Sequence, residues 1–305
     1  MAHYDCLIVG GGPAGLTAGM YASRAGLRTA LLEGMFPGGQ IVTTALMENF
    51  PGFPNGVSGA DFGMLLEQQC TRFGLELLYE SVEEMQLQGD TKYIKTAAGE
   101  HTARTVILCM GAEPTPLNIK REMELVGRGV SYCATCDGNF FRGRSVAVVG
   151  GGDTACEEAA YLSRLCEKVY LIHRRAEFRA AAVVSGRVIH NDRVELLMDS
   201  VVEDILGETE VTGLQVRNVV SDETTQIPVS GFFIAIGVHP RTEIVRGLVD
   251  LTQYGYILTD AHMRTNVPGV FAAGDVRDTY LRQVVTAAAD GAIAATAVSE
   301  YLTRN

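Results

Sequence analysis

The 305-residue sequence predicts an α/β fold of two doubly wound domains, the second inserted into the first, on three observations. Residues 6–33 (CLIVGGGPAGLTAGMYASRAGLRTALLE) align without gaps on residues 146–173 (VAVVGGGDTACEEAAYLSRLCEKVYLIH), Val146 against Cys6, at a constant offset of 140. Each copy is an apolar run, a glycine turn, an amphipathic stretch of about 15 residues and a second apolar run, the pattern of a βαβ unit with buried parallel strands. A further strand pattern, GVFAAGDV at 269–276, occurs once, after the second copy has closed. With one such motif for two domains, it is expected to return and complete the first. A period this long means two copies of a domain rather than a solenoid.

Composition narrows the field. Hydrophobic residues make up 47% and charged residues 20%, ordinary globular usage that argues against a disordered chain. The formal net charge of −11 would repel a phosphate backbone, so no nucleic-acid partner is expected. No apolar run reaches the length of a membrane span. The start, MAHYDCLIVGGG, has no basic n-region and its apolar run ends in glycines. A cytoplasmic protein is therefore expected.

The turns read Gly10-x-Gly12-Pro13-Ala14-Gly15 and Gly150-x-Gly152-Asp153-Thr154-Ala155. Each follows a strand and opens a helix, the context that the dinucleotide fingerprint requires. The first glycine permits the tight turn, the second lets the backbone approach a pyrophosphate, and the third position lets helix and strand pack closely. Both domains are thus expected to be Rossmann-like and dinucleotide-binding.

The copies differ at the end of the second strand, where the ribose is read. The first has Glu33, an acceptor for ribose hydroxyls about 20 residues beyond its glycines. The second has His173, Arg174 and Arg175, with Arg179 one turn on. Guanidinium forks bind phosphate oxygens, so this copy suits the 2′-phosphate of NADP. The bland alternative is a solvated basic helix start.

After each βαβ unit an apolar strand ends in Gly with Pro shortly behind: TVILCMGAEPTP at 105–116 and GFFIAIGVHPRT at 231–242. Taken with the single GVFAAGDV, these put one domain at 1–113 and 244–305 and the inserted one at 114–243. Proline at both crossovers suits linkers.

Of seven cysteines, five are scattered and expected to be small buried hydrophobes; Cys156 and Cys166 are expected on one helix. Cys133 and Cys136 form a C-x-x-C ahead of the second glycine turn. Such a pair is half a zinc site or a redox dithiol. No further Cys or His stands at zinc-ligand spacing, so no metal is expected. In a redox pair one thiol attacks a substrate disulfide and the other resolves the mixed disulfide. Asp137 follows directly and is either a proton carrier or a turn former beside Gly138. One dinucleotide site, one NADP-like site and one dithiol form an electron chain from NADPH through a flavin to a disulfide.

At this point the sequence resembles the bacterial low-molecular-weight thioredoxin reductase family over nearly its whole length. The matching motifs are GGGPAG, GGQ at 38–40, ENFPG at 48–52, CATCDG, GGGDTA, HRRAEFRA, FIAIG at 233–237, FAAGDV, and Arg282-Gln283. CATCDG just ahead of the second glycine turn is specific to that family. Cys109-Met110, where relatives often have Ala-Thr, is expected to affect packing only.

The resemblance implies a homodimer with FAD and NADPH as cofactors and a thioredoxin or thioredoxin-like partner. FAD would lie on Gly10, Gly12, Pro13, Ala14, Gly15, Glu33, Gly34, Gly38, Gly39, Gln40, Asn49, Gly274, Asp275, Arg282, Gln283 and Val284. NADPH would lie on Gly150, Gly152, Asp153, Thr154, Ala155, His173, Arg174, Arg175 and Arg179. Cys136 would face the flavin, Cys133 would attack the partner, and Asp137 would donate the proton. The alternative is an FAD-dependent dithiol oxidase acting on a small molecule with oxygen as acceptor; that chemistry does not need HRRAEFR.

Overall fold

In the computed structural model, which describes residues 2–44 and 46–304, the chain divides into two compact units. The first is Met1–Glu113 with His239–Asn305, the second Pro114–Val238. The first opens with β1 (Ala2–Val9), α1 (Pro13–Arg24) and β2 (Thr29–Leu32), the expected βαβ unit. All four β2 residues are buried, as an apolar parallel strand covered on both faces requires. α2 (Gly59–Thr71) is capped by Ser58, whose Oγ accepts from Asp61 N at 3.0 Å, and leads to β3 (Glu76–Leu78), parallel to β2. β4 (Val82–Gln86), β5 (Lys92–Thr96) and β6 (Gly99–Leu108) form an antiparallel meander. β6 also runs parallel to β1, Val9 opposite Leu108. β7 (Ala112–Pro114) leads out of the unit.

The second unit repeats the plan. β8 (Val130–Ser131), the short α3 (Ala134–Asp137), β9 (Ser145–Val149), α4 (Asp153–Leu162) and β10 (Lys168–Ile172) follow in order. α5 (Ala182–Ile189) and β11 (Val194–Leu197) come next, and then β12 (Ser200–Leu206), β13 (Gly213–Asn218) and β14 (Thr224–Ile227) make a separate antiparallel sheet. β15 (Gly231–Ile234) returns to the parallel sheet, whose order is β11-β10-β9-β15-β8. α4 stops at Leu162, so Cys166 lies beyond the helix on which it was expected with Cys156. Ser163 ends the helix: its Oγ donates to Ala160 O at 3.0 Å and accepts from Asn191 Nδ2 at 2.8 Å, a side-chain alternative to the helical ladder.

β16 (Val238–Pro240) then pairs with β7, β17 (Val270–Ala272) lies parallel to β6, and α6 (Val284–Arg304) closes the chain. GVFAAGDV thus returns to the first sheet. The second crossover differs from the expected 243/244: the units divide after Val238. Residues 239–243 belong to the first unit because Arg241 N donates to Gly111 O at 3.0 Å. Thr242, 2% exposed, donates to Gly255 O at 2.8 Å.

Each parallel sheet is covered on both sides by apolar clusters. α6 packs its small residues on α1 so closely that a Cβ on Gly291 would stand 2.1 Å from Ala14 O. The five scattered cysteines are buried, and burial pushes the Cys6 thiol up to about 12 and that of Cys156 to about 11. They are packing residues, unreactive as thiolates.

Candidate active site

The first glycine turn joins β1 to α1. Gly10 has φ +105°, and a Cβ there would lie 2.4 Å from Cys109 O, at the end of β6. Both the turn and the close approach demand glycine. At Gly12 the situation is reversed: it is the N-cap of α1 with no side chain capping it, and a Cβ there would meet nothing within 4 Å. Open space in front of free N–H groups at a helix start is what a pyrophosphate needs. Pro13 sits at the head of α1, where its missing N–H costs nothing. Ala14 and Gly15 are buried behind it.

The other residues expected at the flavin gather in the same unit. Glu33, at the end of β2, accepts from Gly11 N at 2.7 Å and from Met35 N at 3.1 Å. Gly34 lies against Ser81 and Gly39 against Gly12, while Gly38 N donates to Gly11 O at 2.7 Å. Gln40 is exposed on the short 3-10 turn that follows. Asn49 Nδ2 donates to Gln283 Oε1 at 2.9 Å across 234 residues of sequence. Gly274 packs on Ala14 and Ala287. Burial raises the Asp275 carboxyl to about 6 against the opposing pull of Arg282. The Arg282 guanidinium sits 4.3 Å over the Tyr256 ring, and Val284 opens α6. An FAD fits this set: a pyrophosphate cradle at Gly12 and two carboxylates at strand ends.

The sequence reading missed Asp290. Buried in α6, it accepts from Gly274 N at 3.1 Å, from Arg277 Nε at 2.6 Å and from the Arg277 guanidinium again at 3.1 Å. This bidentate pair fixes the Gly274-Asp275 loop. A lone Asp in the apolar run TAAADGAIAATAV was the available signal.

The second turn has the same construction. A Cβ on Gly150 (φ +154°) would lie 2.3 Å from Ala235 O and 2.6 Å from Ala155 Cβ, whereas one on Gly152 would meet nothing. α4 also starts without a side-chain cap, so the cradle is present again. Asp153 Oδ1 accepts from Ala181 N at 2.8 Å, tying the following loop to α4. Thr154 is exposed. Arg174, Arg175 and Arg179 are exposed on one short segment. His173 is different: it is 4% exposed, its Nε2 lies 3.1 Å from Glu177 O, and its ring stacks on Phe178. It supports the arginine loop from beneath, and burial lowers its pKa. The open cradle at Gly152 and the exposed guanidinium groups have the chemistry that an NADPH requires.

The dithiol stands at the carboxyl end of β8. Cys133 is the extended N-cap of α3 and is disulfide-bonded to Cys136, with Cα atoms 5.3 Å apart. Ser131 Oγ accepts from Cys133 N at 3.1 Å and donates to Asp137 Oδ2 at 2.6 Å. Burial raises the Asp137 pKa and the Ser131 bond opposes the shift. Asp137 is therefore placed beside the pair, in an environment that favours its protonated form. Glu158, on α4, accepts from Ala134 N at 3.2 Å through Oε1, and its Oε2 is buried with no hydrogen bond. The sequence signal was faint: Glu158 shares the helix edge of buried Ala155, Ala159 and Leu162.

β8 corresponds to β17. Phe232 N donates to Gly129 O at 2.7 Å as Val106 N donates to Gly269 O at 3.0 Å. GVSYCAT at 129–135 therefore occupies the place of GVFAAGD at 269–275. Ala134-Thr135, the two residues between the cysteines, and Gly274-Asp275 hold equivalent positions at carboxyl strand ends, where ligands bind in such sheets.

The chain matches the family described as pyridine nucleotide-disulphide oxidoreductase over residues 4–291. It is 44% identical to the thioredoxin reductase of Peptoclostridium acidaminophilum over 99% of this chain and 98% of that one. It is 45% identical to the bifunctional thioredoxin reductase/thioredoxin of Mycobacterium leprae, spanning 98% of this chain but 66% of that longer protein. The crystal structure of thioredoxin reductase from Streptococcus pyogenes superposes with a TM-score of 0.96 at 42% identity, covering 100% of this chain and 99% of that one. The chain belongs to the pyridine nucleotide-disulphide oxidoreductases and, within them, to the thioredoxin reductases.

Proposed function

We propose that the protein uses NADPH to reduce the disulfide of a thioredoxin or a thioredoxin-like protein. One observation carries the reading: a Cys133–Cys136 disulfide on a unit that also presents a dinucleotide cradle with three exposed arginines. A relative whose name joins reductase and thioredoxin in one chain supports the choice of partner.

The residues divide the work as follows. Gly12, Glu33 and Asp275 would hold FAD; Gly152, Arg174, Arg175 and Arg179 would hold NADPH. When bound, FAD would supply the chemistry of accepting a hydride from a nicotinamide and returning two electrons to a disulfide. Two electrons and two protons convert Cys133–Cys136 into two thiols. Asp137, held by Ser131 Oγ and with its pKa raised by burial, would hold and pass a proton beside the pair. The Cys133 thiolate attacks one sulfur of the partner's disulfide and expels the other. Cys136 then attacks Cys133 Sγ, releases the partner sulfur that Cys133 had attacked and restores the internal disulfide.

The same reading makes the protein a cytoplasmic homodimer. Exposed apolar side chains on the first unit, such as Met64 and Leu65 of α2 and Val285 and Ile293 of α6, support self-association. Light scattering on the FAD-loaded protein should give twice the chain mass, and the mass of a single chain refutes the dimer. No helix among the described residues is long and apolar enough to cross a membrane.

The decisive experiment mixes the FAD-loaded protein with NADPH under nitrogen and adds an oxidised thioredoxin. One NADPH consumed per thioredoxin dithiol formed is expected. NADPH oxidation that needs oxygen and leaves thioredoxin oxidised refutes the reading.

A further inference from the structure

We propose that Glu158 is a positioning residue for the dithiol: its carboxyl fixes the Ala134 peptide between the two cysteines and couples its charge to the reduced pair. The proposal rests on Cys133 and Cys136 being the redox pair and adds a residue to their control. The geometry is specific. Ala134 N, one peptide beyond Cys133, donates to Glu158 Oε1 at 3.2 Å, and the other carboxyl oxygen is buried without a hydrogen bond. An acceptor left unsatisfied in a native interior asks for a reason. Stability is a poor one, because a buried carboxylate with a single neutral donor costs more than an apolar side chain of the same shape.

The protonation state makes the residue consequential. Burial raises the Glu158 carboxyl to about 7, the Ala134 bond pulling the other way. Charged and titratable groups stand on four of the elements around it, α3, α4, β10 and α5. α3 brings Asp137, turned to Ser131. α4 itself brings Asp153, bonded to Ala181 N, together with the buried thiol of Cys156, Glu157 and Tyr161. β10 brings Tyr170 and Lys168, the latter paired with Glu195. α5 brings Arg187 in its last turn, and β9 carries no titratable side chain. Neutral Glu158 leaves the reduced pair undisturbed. Its carboxylate opposes a thiolate one peptide away, so thiolate formation and loss of the Glu158 proton compete.

Alkylation reads this coupling directly. The FAD-loaded protein is reduced with dithiothreitol and desalted without oxygen. Iodoacetamide labelling of Cys133 is then followed by peptide mass spectrometry between pH 5 and 9.5 for the unaltered protein, Glu158→Gln and Asp137→Asn. The expected rate ratio of Glu158→Gln to the unaltered protein is near one below about pH 6. It rises towards about threefold between about pH 7 and the thiol's own pKa, the change in thiolate fraction for a half-unit shift in the thiol, and returns towards one as both thiols ionise fully. The unaltered protein should show an inflection near 7 that survives Asp137→Asn and vanishes in Glu158→Gln. A ratio that does not vary with pH overturns the proposal, since a packing defect acts at every pH. So does a single inflection in the unaltered protein, which decides the matter even if Glu158→Gln does not fold. Failure of thioredoxin reduction, by contrast, would sink the reductase reading and leave these profiles unchanged.

Discussion

Replacing Gly12 by valine separates cofactor binding from folding. Gly12 has φ −73° and ψ −177°, extended backbone that a branched residue adopts readily. A Cβ there meets nothing within 4 Å. The cost to the apoprotein is that of a poor N-cap, about 1 kcal/mol or less. The cost to FAD is larger, because the new methyl groups fill the space in front of the α1 N–H groups. Losing two charge-assisted bonds to phosphate, at roughly 1.5–3 kcal/mol each, removes about 3–6 kcal/mol. That is a factor of about 10² to 10⁴ in Kd. Gly10→Ala is the counter-experiment: φ is +105° and the new Cβ would stand 2.4 Å from Cys109 O, so the fold itself suffers, by roughly 3 kcal/mol or more. The assay is the flavin-to-protein absorbance ratio after desalting, FAD titration of the apoprotein, and urea unfolding of both variants without FAD. A Gly12→Val protein that keeps a full complement of flavin refutes the first cradle as the FAD site. Equal urea midpoints for the two variants refute the distinction between the glycines.

Arg174→Ala combined with Arg179→Ala should raise KM for NADPH by well over tenfold, since each charge-assisted bond to the 2′-phosphate is worth roughly 1.5–3 kcal/mol, and leave NADH use almost unchanged; equal losses with both would mean that the arginines serve the fold. Cys133→Ser and Cys136→Ser should each abolish thioredoxin reduction but leave flavin reduction by NADPH intact. With a partner lacking its own resolving cysteine, non-reducing gels should show a stable adduct for Cys136→Ser and little for Cys133→Ser; the opposite pattern reverses the roles of the cysteines. Burial raises Asp275 to about 6, above its unfolded value, so the folded apoprotein holds that proton more tightly. Its contribution is full below about pH 4 and is lost as pH rises through about 6, on the order of 3 kcal/mol. Asp275→Asn should remove that fall from urea-melt stability profiles of the apoprotein; profiles that stay parallel would show that Asp275 is not so buried.

The parts of the molecule set by local backbone rules were legible in the sequence. Gly10 and Gly150 announce turns, the apolar runs announce parallel strands, and the constant offset announces two copies. Cys133 and Cys136 were legible as a bonded pair, because a C-x-x-C off zinc-ligand spacing leaves few chemistries. What escaped depends on contacts distant in sequence. His173 stands where a cofactor contact was expected, yet its ring is spent on Gly151, Glu177 and Phe178. A Cβ on Gly151 would lie 2.1 Å from that ring, and nothing in the string HRRAEFR shows it. Asp290 and Glu158 are single carboxylates on apolar helix faces, and only the fold supplies Arg277 for one and the Ala134 peptide for the other. The second crossover was misplaced by five residues because Pro240 looks like a linker, while Thr242 is anchored by Gly255, 13 residues further on.

The duplication also accounts for where the chemistry sits. A doubly wound sheet offers binding positions at the carboxyl ends of its strands. In both copies the first strand's end is spent on a glycine turn and the second's on the side chain beside it, Glu33 against Gly11 and His173 against Gly151. The fifth strand is where they part. In the first unit β17 arrives last in the chain and ends in Gly274-Asp275, fixed from behind by Asp290 and Arg277. In the second unit β8 arrives first and ends in Cys133, with Ser131 and Glu158 bonded around it. Inserting one copy into the other forces this difference in order, because the inserted copy must begin and end at the two crossovers, where β7 and β16 pair. The inserted copy's fifth-strand end is thereby joined to the head of its own βαβ unit through α3 and the turn that follows. A reactive pair placed there is held by backbone on both sides, by β8 before it and α3 after it, while Glu158 of α4 bonds the Ala134 peptide between its cysteines.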